Sequence, residues 1–528
     1  MSDLLTARVA GVVVLAAVLL AAAGDAAALS PAAARGKQIY VNGSSEARRD
    51  ITALVGMGST ALPASALPCT SCHGPDGLGR PEGGVTPANI TWTQLAKPYR
   101  ALSGVVRTRP AYTEASVARA IATGIDAGGV QLDASMPRYR MHPEDMADLV
   151  AYLQYLEDEL DPGLSETAIT LGTLLPSGSR TAALGDAVRG VLEAYFAELN
   201  AAGGVYNRKL ELRVASAADA DAVLELGRAM IEGGEVFAMV AAFTAGLERE
   251  LDAAVEAHGM PLVGPFTEFT GEPETLRRFT FHLYGGLDVQ ARALAEYAST
   301  GLVPDGAKLG VVHVGTRDMR EVAVALRSLA ERRGWPAPVL IEYPGPEFPS
   351  VDSIAAKLSA EQVDALLFLG PGADFRAVAV QSAQNGWTPF LLSPGALAGG
   401  ALLELPAAYT GRIFLSFPTG PSDYTDSGAE AFNAFRERHS LPREHTPTQI
   451  ATYAAVGLLV DGLKAAGRSL SREKLIAWLE GRYQYETGLT PNITYGRNRR
   501  IGALGAHVVA VDLERKLVGS TSRWVATP

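Results

Sequence analysis

The two cysteines of the chain lie three positions apart, at Cys69 and Cys72, and His73 follows the second one directly. This Cys-x-x-Cys-His pattern is typical of the covalent attachment of a c-type haem. Two intervening residues let both thiols meet one porphyrin edge and form thioethers there, while the adjacent imidazole reaches the iron. The pattern therefore predicts one covalently bound haem c, attached at Cys69 and Cys72, with His73 as an axial ligand of the iron.

Three alternatives to haem attachment could account for the motif. A disulfide or a thioredoxin-like redox pair is expected in a strand–helix–strand context, which the neighbouring sequence does not show. A zinc site needs two further ligands, and the chain contains no second pair of cysteines. Chance spacing is the third alternative. The specificity of the five-residue pattern favours haem over all three.

The sequence around the motif predicts helices at both ends of a small domain. A short helix opens at Gly36-Lys37-Gln38-Ile39-Tyr40, and Pro143 suits the first turn of a closing helix that runs to Leu160. The closing helix has an apolar face at helical spacing, formed by Met146, Leu149, Val150, Leu153 and Leu156.

Residues 31–160 thereby resemble the class I cytochromes c, in which the first and last helices cross beside the haem. The resemblance implies an all-α monohaem domain in which Gly36 permits a close approach of the two helices. Tyr40 and Tyr152 would pack at the crossing. The loop after the motif would place the backbone at Pro75 near the ring nitrogen of His73.

The same resemblance implies a methionine as the second axial ligand. Met136 precedes Pro137 just ahead of the last helix, which matches the family's methionine loop. A thioether favours ferrous iron and raises the reduction potential relative to a second histidine. Met141 and His142 are the alternatives. Met141 could instead pack against the haem, and His142 could be a solvent-facing residue before the helix.

Residues 1–28 are predicted to be an export signal. Arg8 supplies a positive charge, Val9 to Gly24 is an unbroken apolar run, and Ala26-Ala27-Ala28 offers small residues for cleavage. The run of about 16 residues is shorter than the roughly 20 that span a bilayer, so we expect no membrane span after cleavage. A retained N-terminal anchor is the alternative. Because c-type haem is attached outside the bacterial cytoplasm, we expect a periplasmic protein.

The charge of the chain and one acidic segment bear on its partners and its domain boundary. A formal net charge of −11 and a pI near 5.4 argue against nucleic-acid binding. The acidic run Glu157-Asp158-Glu159 is soon followed by Pro162-Gly163, which indicates a boundary. We therefore expect a linker at residues 161–166 and a second domain at residues 167–528.

The second domain alternates short β-rich runs with helices. Ile169–Leu175 is a predicted strand that precedes a helix over Ala182–Ala201, and further strands are expected at 237–242, 262–265, 309–314, 339–343, 365–369 and 390–392. Such alternation predicts parallel sheets with helices on both faces. Because about 360 residues exceed one ordinary α/β unit, we expect two lobes.

Several segments of this domain resemble the branched-chain amino-acid type (type I) of periplasmic solute-binding protein. They are Leu174–Gly178, Leu184-Gly185, Leu199–Val205, Val240–Ala245, Pro261–Pro265 and Thr452–Val456. The resemblance implies two α/β lobes joined by a hinge, with a small ligand captured in the cleft. Lobe I would comprise about 167–284 and 416–482, and lobe II about 285–415 and 483–528.

The resemblance also implies a set of ligand-cleft candidates, namely Ser177, Thr244, Ala245, Phe266, Thr267 and Tyr453. Helix N-termini that face the cleft would suit a carboxylate ligand. After Pro265, however, this chain has Phe266, Thr267 and Glu268 where the family has small residues and a hydroxyl. The carboxylate of Glu268 would repel that of an amino acid, so leucine or valine is a poor guess for the ligand. A cleft that only serves for docking is the alternative.

These features lead to one functional prediction and one alternative. We expect a periplasmic c-type cytochrome that transfers single electrons, with a fused module that senses a small ligand or docks a redox partner. That partner would be a periplasmic quinoprotein dehydrogenase or an oxidase. The alternative is an ABC-transporter-like solute receptor with an accessory haem domain. No nucleophile with a placed base and no phosphate loop is recognisable, so we do not expect an enzyme.

Overall fold

The computed structural model describes residues 29–527 except 48, 57–59, 80, 82–83, 101–107, 180, 272–276, 305 and 346–350. The predicted export signal at 1–28 lies outside the described residues. The chain divides into two units, residues 1–160 and 161–528. Within the described residues, no helix is long and apolar enough to cross a membrane.

The first unit is bounded by two helices whose ends follow from local sequence. Helix α1 (Pro31–Asn42) begins where the Ser30 hydroxyl accepts the Ala33 N–H, and it ends at Gly43, whose φ of 62° is left-handed. The last helix, α5 (Pro143–Tyr155), has proline and two acidic residues in its first turn, which suit the positive end of a helix. Both helices were predicted from the sequence, but α1 begins five residues before the predicted Gly36, and α5 ends at Tyr155 rather than at Leu160.

The two terminal helices cross at Gly36. A Cβ atom added there would lie 1.9 Å from the carbonyl oxygen of Asp148, so only glycine allows this approach. Tyr40 and Tyr152 pack at the crossing with ring centroids 5.4 Å apart, and both are fully buried. The predicted crossing and its three residues are thus confirmed.

Between these helices lie short elements and a small antiparallel sheet that the sequence did not predict. The strands and α-helices described between them are β1 (Thr52–Val55), β2 (Thr60–Pro63), α2 (Cys69–His73), α3 (Trp92–Leu95), β3 (Tyr99–Arg100), β4 (Thr108–Arg109), α4 (Glu114–Thr123) and β5 (Arg138–Arg140), and a short 3-10 helix spans Ala64–Ala66. Strand β1 is central and pairs with β2 and β5, in the order β2-β1-β5. The sheet therefore fixes the segment that follows Met136 to a strand more than 80 positions earlier in the chain.

The second unit contains two sheets, one in each lobe. The first lobe holds β6 (Ala168–Pro176), α6 (Ala182–Ala201), β7 (Lys209–Ala217), α7 (Ala220–Glu232), β8 (Ala238–Val240), α8 (Glu248–His258), β9 (Leu262–Val263) and β10 (Thr280–Tyr284). The second lobe continues with α9 (Leu287–Tyr297), β11 (Leu309–Val314), α10 (Arg317–Arg333), β12 (Val339–Tyr343), α11 (Val351–Ala360), β13 (Ala365–Leu369), α12 (Gly372–Gln384), β14 (Phe390–Pro394), α13 (Gly395–Ala398) and β15 (Ile413–Phe417). The chain then forms α14 (Asp426–Arg438), α15 (Thr446–Ala466), α16 (Arg472–Glu480), β16 (Ile501–Ala503), β17 (Gly505–Asp512) and β18 (Leu517–Ala526).

The strand order explains the apolar runs in the sequence. The first sheet has the order β16-β10-β9-β8-β6-β7 and is parallel throughout. The second has the order β12-β11-β13-β14-β15-β17-β18, in which only the last two pairings are antiparallel. Parallel strands covered on both faces are apolar along their whole length, and every residue of Ala365–Leu369 is buried. The predicted two-lobed α/β architecture is confirmed.

One predicted lobe boundary differs from the structure. We expected residues 483–503 in lobe II, but Ile501–Ala503 pairs with Thr280–Tyr284 in the first sheet. Tyr495 also belongs to the first core, where its hydroxyl donates to the carbonyl of His282 at 2.9 Å. The chain therefore crosses between the lobes after Tyr284, between β15 and α14, and between β16 and β17.

The second of these crossings is held by a buried polar chain. The His507 imidazole lies 2.8 Å from Asp423 through Nε2 and 3.0 Å from Ser522 through Nδ1. Asp423 also accepts the N–H of Gly420 at 2.7 Å. These bonds fasten the crossing segment to the last hairpin of lobe II.

The segment predicted as a linker is part of the second unit's hydrogen-bonded structure. The Asp161 carboxylate accepts the N–H of Arg472 at 2.6 Å, and the Gly163 carbonyl accepts that of Thr170 at 2.8 Å. Ser165 accepts a bond from the Arg208 guanidinium at 2.8 Å. Residues 161–165 are therefore held by hydrogen bonds to lobe I and do not form a flexible linker.

Candidate functional site

The Cys-x-x-Cys-His motif forms the short helix α2, with both cysteines unpaired. The Cys69 side chain is partly buried and that of Cys72 is exposed. Burial raises the pKa of the Cys69 thiol to about 12. Redox-active cysteines have lowered pKa values, so this environment does not favour the thioredoxin-like alternative.

The His73 ring is oriented by a backbone carbonyl. Its Nδ1 lies 2.9 Å from the carbonyl oxygen of Ala88, to which it donates as the neutral imidazole. Burial lowers the pKa of His73, which favours that neutral form. The second ring nitrogen, Nε2, makes no hydrogen bond to any described residue. A backbone acceptor on one nitrogen that leaves the other for a metal is the usual arrangement of an axial histidine.

The acceptor for His73 corrects one expectation. The sequence placed the backbone at Pro75 near this ring nitrogen, whereas the structure uses Ala88, fifteen positions after the histidine. A backbone carbonyl has no side-chain signature, so the sequence could not identify it.

Hydrogen bonds from two tyrosines fix the residues on either side of α2. The buried Tyr40 hydroxyl donates to the carbonyl of Gly74 at 2.6 Å, immediately after His73. The Tyr139 hydroxyl donates to the carbonyl of Leu67 at 2.7 Å, two residues before Cys69. The crossing helix α1 and the strand β5 thus both position the motif.

Met136 lies in a loop that is held by the arginine that follows it. The Arg138 guanidinium donates to the carbonyls of Met136 and Leu132. Gly124 makes room for this guanidinium, because a Cβ atom there would lie 1.9 Å from Arg138 Nε. Pairing of β5 with β1 fixes the next residues. The sequence singled out Met136 but missed the positioning role of Arg138.

The structure gives the two alternative ligands other roles. Met141 packs against the core of the first unit as a partly buried side chain. His142 is the N-cap of α5, where its Nδ1 accepts the N–H of Glu144 at 3.4 Å, and its side chain is 48% exposed. Both placements agree with the packing and solvent-facing roles weighed for them in the sequence.

The residues of the first unit fit a c-type haem. They combine two free thiols on one helix, an imidazole oriented through Nδ1, and a thioether in a braced loop. Among the described residues, no group of three or more His, Cys, Asp or Glu side chains is placed to hold a metal ion. Such a haem would supply one-electron chemistry at its iron.

The second unit has a pocket of about 190 Å³. It lies where β8, β9 and β10 end, and its lining residues belong to the segments 243–245, 264–268 and 283–286 and to Ala451. The carboxyl ends of parallel strands are the usual ligand edge of an α/β sheet. Because one water needs roughly 10–15 Å³ on this measure, the pocket has room for a small organic molecule.

Three of the six cleft candidates line this pocket, and three do not. Ala245, Phe266 and Thr267 are at its wall. The remaining candidates have other surroundings. Ser177 is exposed, Thr244 is buried with its hydroxyl donating to the Phe266 carbonyl at 3.2 Å, and Tyr453 packs among Tyr195, Phe432 and Phe435.

Two aromatic residues that line the pocket, Phe243 and Tyr284, were not among the candidates. The rings of Phe243 and Phe266 stack with centroids 4.7 Å apart. Tyr284 is also at the wall, and burial raises the pKa of its phenol to about 12, so it is neutral at physiological pH. Phe243 directly follows the strand predicted at 237–242, which is the signal that could have identified it. Tyr284 ends β10, a strand that the sequence analysis did not predict.

The electrostatic character of the pocket is acidic. Glu268 is the one formally charged residue among the described lining residues. Although Glu268 is among the exposed residues, partial desolvation raises the pKa of its carboxyl, and the carboxylates of Glu248 and Asp318 raise it further.

An ion pair joins the two lobes beside the pocket. Arg249, at the start of α8 in lobe I, donates to Asp318 at 2.7 Å and to Glu321 at 2.6 Å. Both acceptors lie on α10 in lobe II. The guanidinium is therefore engaged by lobe II carboxylates.

Comparison with known families agrees with this architecture. Residues 168–512 match the family model described as periplasmic binding protein, and residues 33–157 match the model described as cytochrome c. The first match covers well over half of the chain, which therefore belongs to the periplasmic binding protein family. Its N-terminal unit is a cytochrome c domain. The two matches imply a covalently bound haem c, a small-molecule ligand and a redox partner.

Solved structures share the fold of the second unit. A fatty acid ABC transporter substrate-binding protein from Thermomonospora curvata has 19% identity and a TM-score of 0.53, covering 70% of this chain and 94% of that one. A leucine binding protein from Thermotoga maritima has 16% identity and a TM-score of 0.53, covering 68% and 99%. An ABC transporter substrate-binding protein from Aeropyrum pernix has 16% identity and a TM-score of 0.55, covering 68% and 96%. No curated protein sequence matches the chain.

Proposed function

We propose that this protein is a periplasmic electron carrier with one haem c, whose fused binding module takes a small solute or docks the redox partner. The observation that carries the proposal is the His73 imidazole, oriented by the Ala88 carbonyl beside two free cysteines. Cys69 and Cys72 would hold the haem, with His73 and Met136 as iron ligands. The chain would pass electrons without transforming a substrate.

The proposed donor is a periplasmic dehydrogenase such as a quinoprotein, with an oxidase as the alternative partner. The test is stopped-flow mixing of the oxidised full-length protein with a substrate-reduced quinoprotein dehydrogenase, followed at the haem absorbance bands. We expect rapid reduction by one electron per protein. Failure to accept electrons from the dehydrogenase and to donate them to an oxidase would refute the carrier role.

A redox titration tests the one-electron step independently of the partner. A single haem gives one transition with a slope of about 59 mV per decade at 25 °C. A Met136→Ala variant should lower the midpoint potential, because loss of the thioether removes a ligand that favours ferrous iron. Met141→Ala is the matched control and should leave the midpoint unchanged. The reverse pattern would reassign the ligand to Met141.

The second candidate function is a solute receptor with an accessory haem domain. The pocket of about 190 Å³ at the strand ends favours it. Tight and selective solute binding, with no electron exchange with either partner class, would establish the receptor role. Electron exchange in the absence of solute would favour the carrier.

A further inference from the structure

The pocket's anion-binding groups are already occupied by the protein's own carboxylate. Oε1 of Glu248 accepts the N–H groups of Glu268 and Phe269 at 2.9 and 3.3 Å. It also lies 2.9 Å from the Thr267 hydroxyl, whose proton it shares with the Phe269 carbonyl at 2.8 Å. Glu248 is also the first residue of α8, so its charge lies at the positive end of that helix. Of these donors, the Thr267 hydroxyl and the Glu268 N–H belong to residues that line the pocket, where they would otherwise suit a carboxylate ligand. In this structure the carboxylate of Glu248 occupies these donors.

Glu268, the one formally charged residue among the described lining residues, favours a cation over an anion. Glu268 makes no side-chain hydrogen bond or ion pair with any described residue, and it stands near the carboxylates of Glu248 and Asp318. The nearby cation, Arg249, is bound to Asp318 and Glu321. Glu268 therefore repels an anion and lacks a cation.

The remaining wall suits an apolar body. The stacked rings of Phe243 and Phe266 adjoin Pro265, Leu283 and Ala451 around the pocket. Aromatic faces also attract ammonium groups through their quadrupole. The pocket thus combines apolar surface with one unneutralised negative charge.

We propose that the solute is a small organic cation, an amine with an apolar body and no carboxylate. The inference rests on the proposed solute-binding role and specifies its ligand class. The sequence analysis expected helix N-termini at the cleft to bind a ligand carboxylate. The inference reverses this expectation, because the carboxylate of Glu248 already lies at the N-terminus of α8.

The test is isothermal titration calorimetry on the full-length haem-loaded protein with two matched series. One series is 2-phenylethylamine, phenylalanine and 3-phenylpropionate. The other is isoamylamine, leucine and 4-methylpentanoate. Within at least one series, the amine should bind at least tenfold tighter than the carboxylate, which corresponds to about 1.4 kcal/mol.

Variants of the protein test which residue causes the preference for an amine over a carboxylate. Glu268→Gln keeps the shape of the side chain and should lower amine affinity at least tenfold. Glu250→Gln removes an exposed carboxylate from the same first turn of α8, outside the pocket lining, and should leave amine affinity unchanged. The double variant Glu248→Ala with Glu268→Gln frees the anion-binding groups and should make the carboxylate bind tighter than the amine.

The outcomes separate this inference from the role on which it rests. Tighter binding of the amino acid or the carboxylate to the unaltered protein overturns the cation assignment and leaves solute binding intact. Equal loss of amine affinity in Glu268→Gln and Glu250→Gln also overturns the assignment. Binding of none of the six compounds overturns the solute-binding role and this inference with it.

Discussion

Replacing Gly36 by alanine tests how the haem domain is closed. The new Cβ atom would lie 1.9 Å from the carbonyl oxygen of Asp148, 2.6 Å from its carbonyl carbon and 2.8 Å from Cβ of Tyr152. The first two atoms are backbone of the facing helix and cannot rotate away. The helices must therefore separate.

The expected magnitude follows from two opposing contributions. Alanine in a helix interior is favoured over glycine by about 1 kcal/mol. Overpacking a closely packed contact costs about 1–3 kcal/mol, and contacts with backbone fall at the upper end of that range. The free energy of unfolding of the haem domain should therefore fall by roughly 1–2 kcal/mol.

The assay is urea unfolding of the full-length protein, with the Soret band reporting on the haem domain and far-UV circular dichroism on the whole chain. Gly457→Ala is the matched control, because Gly457 lies within α15 and its nearest neighbour to an added Cβ is the Tyr195 hydroxyl at 3.8 Å. That variant should stabilise the second unit by up to about 1 kcal/mol. Stabilisation of the haem domain by Gly36→Ala would refute the proposed close crossing.

Three further predictions concern the metal ligand, the motif's support and the lobe contact. Met136→Ala should abolish the weak far-red charge-transfer band of a ferric methionine-ligated haem, while Met141→Ala retains it, as absorbance spectra would show. Tyr40→Phe leaves the buried Gly74 carbonyl with the longer hydrogen bond from the Gly77 N–H at 3.4 Å, so the haem domain's free energy of unfolding in urea should fall by about 0.5–1.5 kcal/mol. An unchanged value would contradict that support. Arg249→Gln removes the ion pair between the lobes and should modestly raise the fraction of molecules whose lobes are apart, as measured by small-angle scattering. The effect is modest because partly exposed ion pairs contribute about 0–1 kcal/mol. If neither the variant nor high salt changes that fraction, the contact between the lobes is refuted.

The sequence could predict those features that covalent or steric chemistry fixes locally. The five residues Cys69–His73 carry the complete attachment motif in one short segment, and the apolar face of the last helix follows from its helical period. The glycine and the two tyrosines of the helix crossing were implied by the resemblance to the class I cytochromes c. The buried parallel strands were visible as short apolar runs, because such strands lack the alternation of exposed ones.

Other features depend on pairings between distant segments and were not predictable in this way. The sheet β2-β1-β5 joins residues 52–63 to 138–140, and the support of His73 comes from the backbone of Ala88. The placement of 483–503 in lobe I depends on the pairing of β16 with β10. Thr244 was expected at the ligand, but its hydroxyl is bound by the Phe266 carbonyl. Such outcomes depend on tertiary geometry that no local pattern encodes.

The most direct test of the account is the intact mass of the exported protein under denaturing conditions, after production in a host that matures c-type cytochromes. We predict a mass increase of one haem that survives denaturation and acid–acetone extraction. It should be lost from the double variant Cys69→Ala with Cys72→Ala. A haem that is extracted freely from the unaltered protein, or a mass without haem, would contradict the central claim.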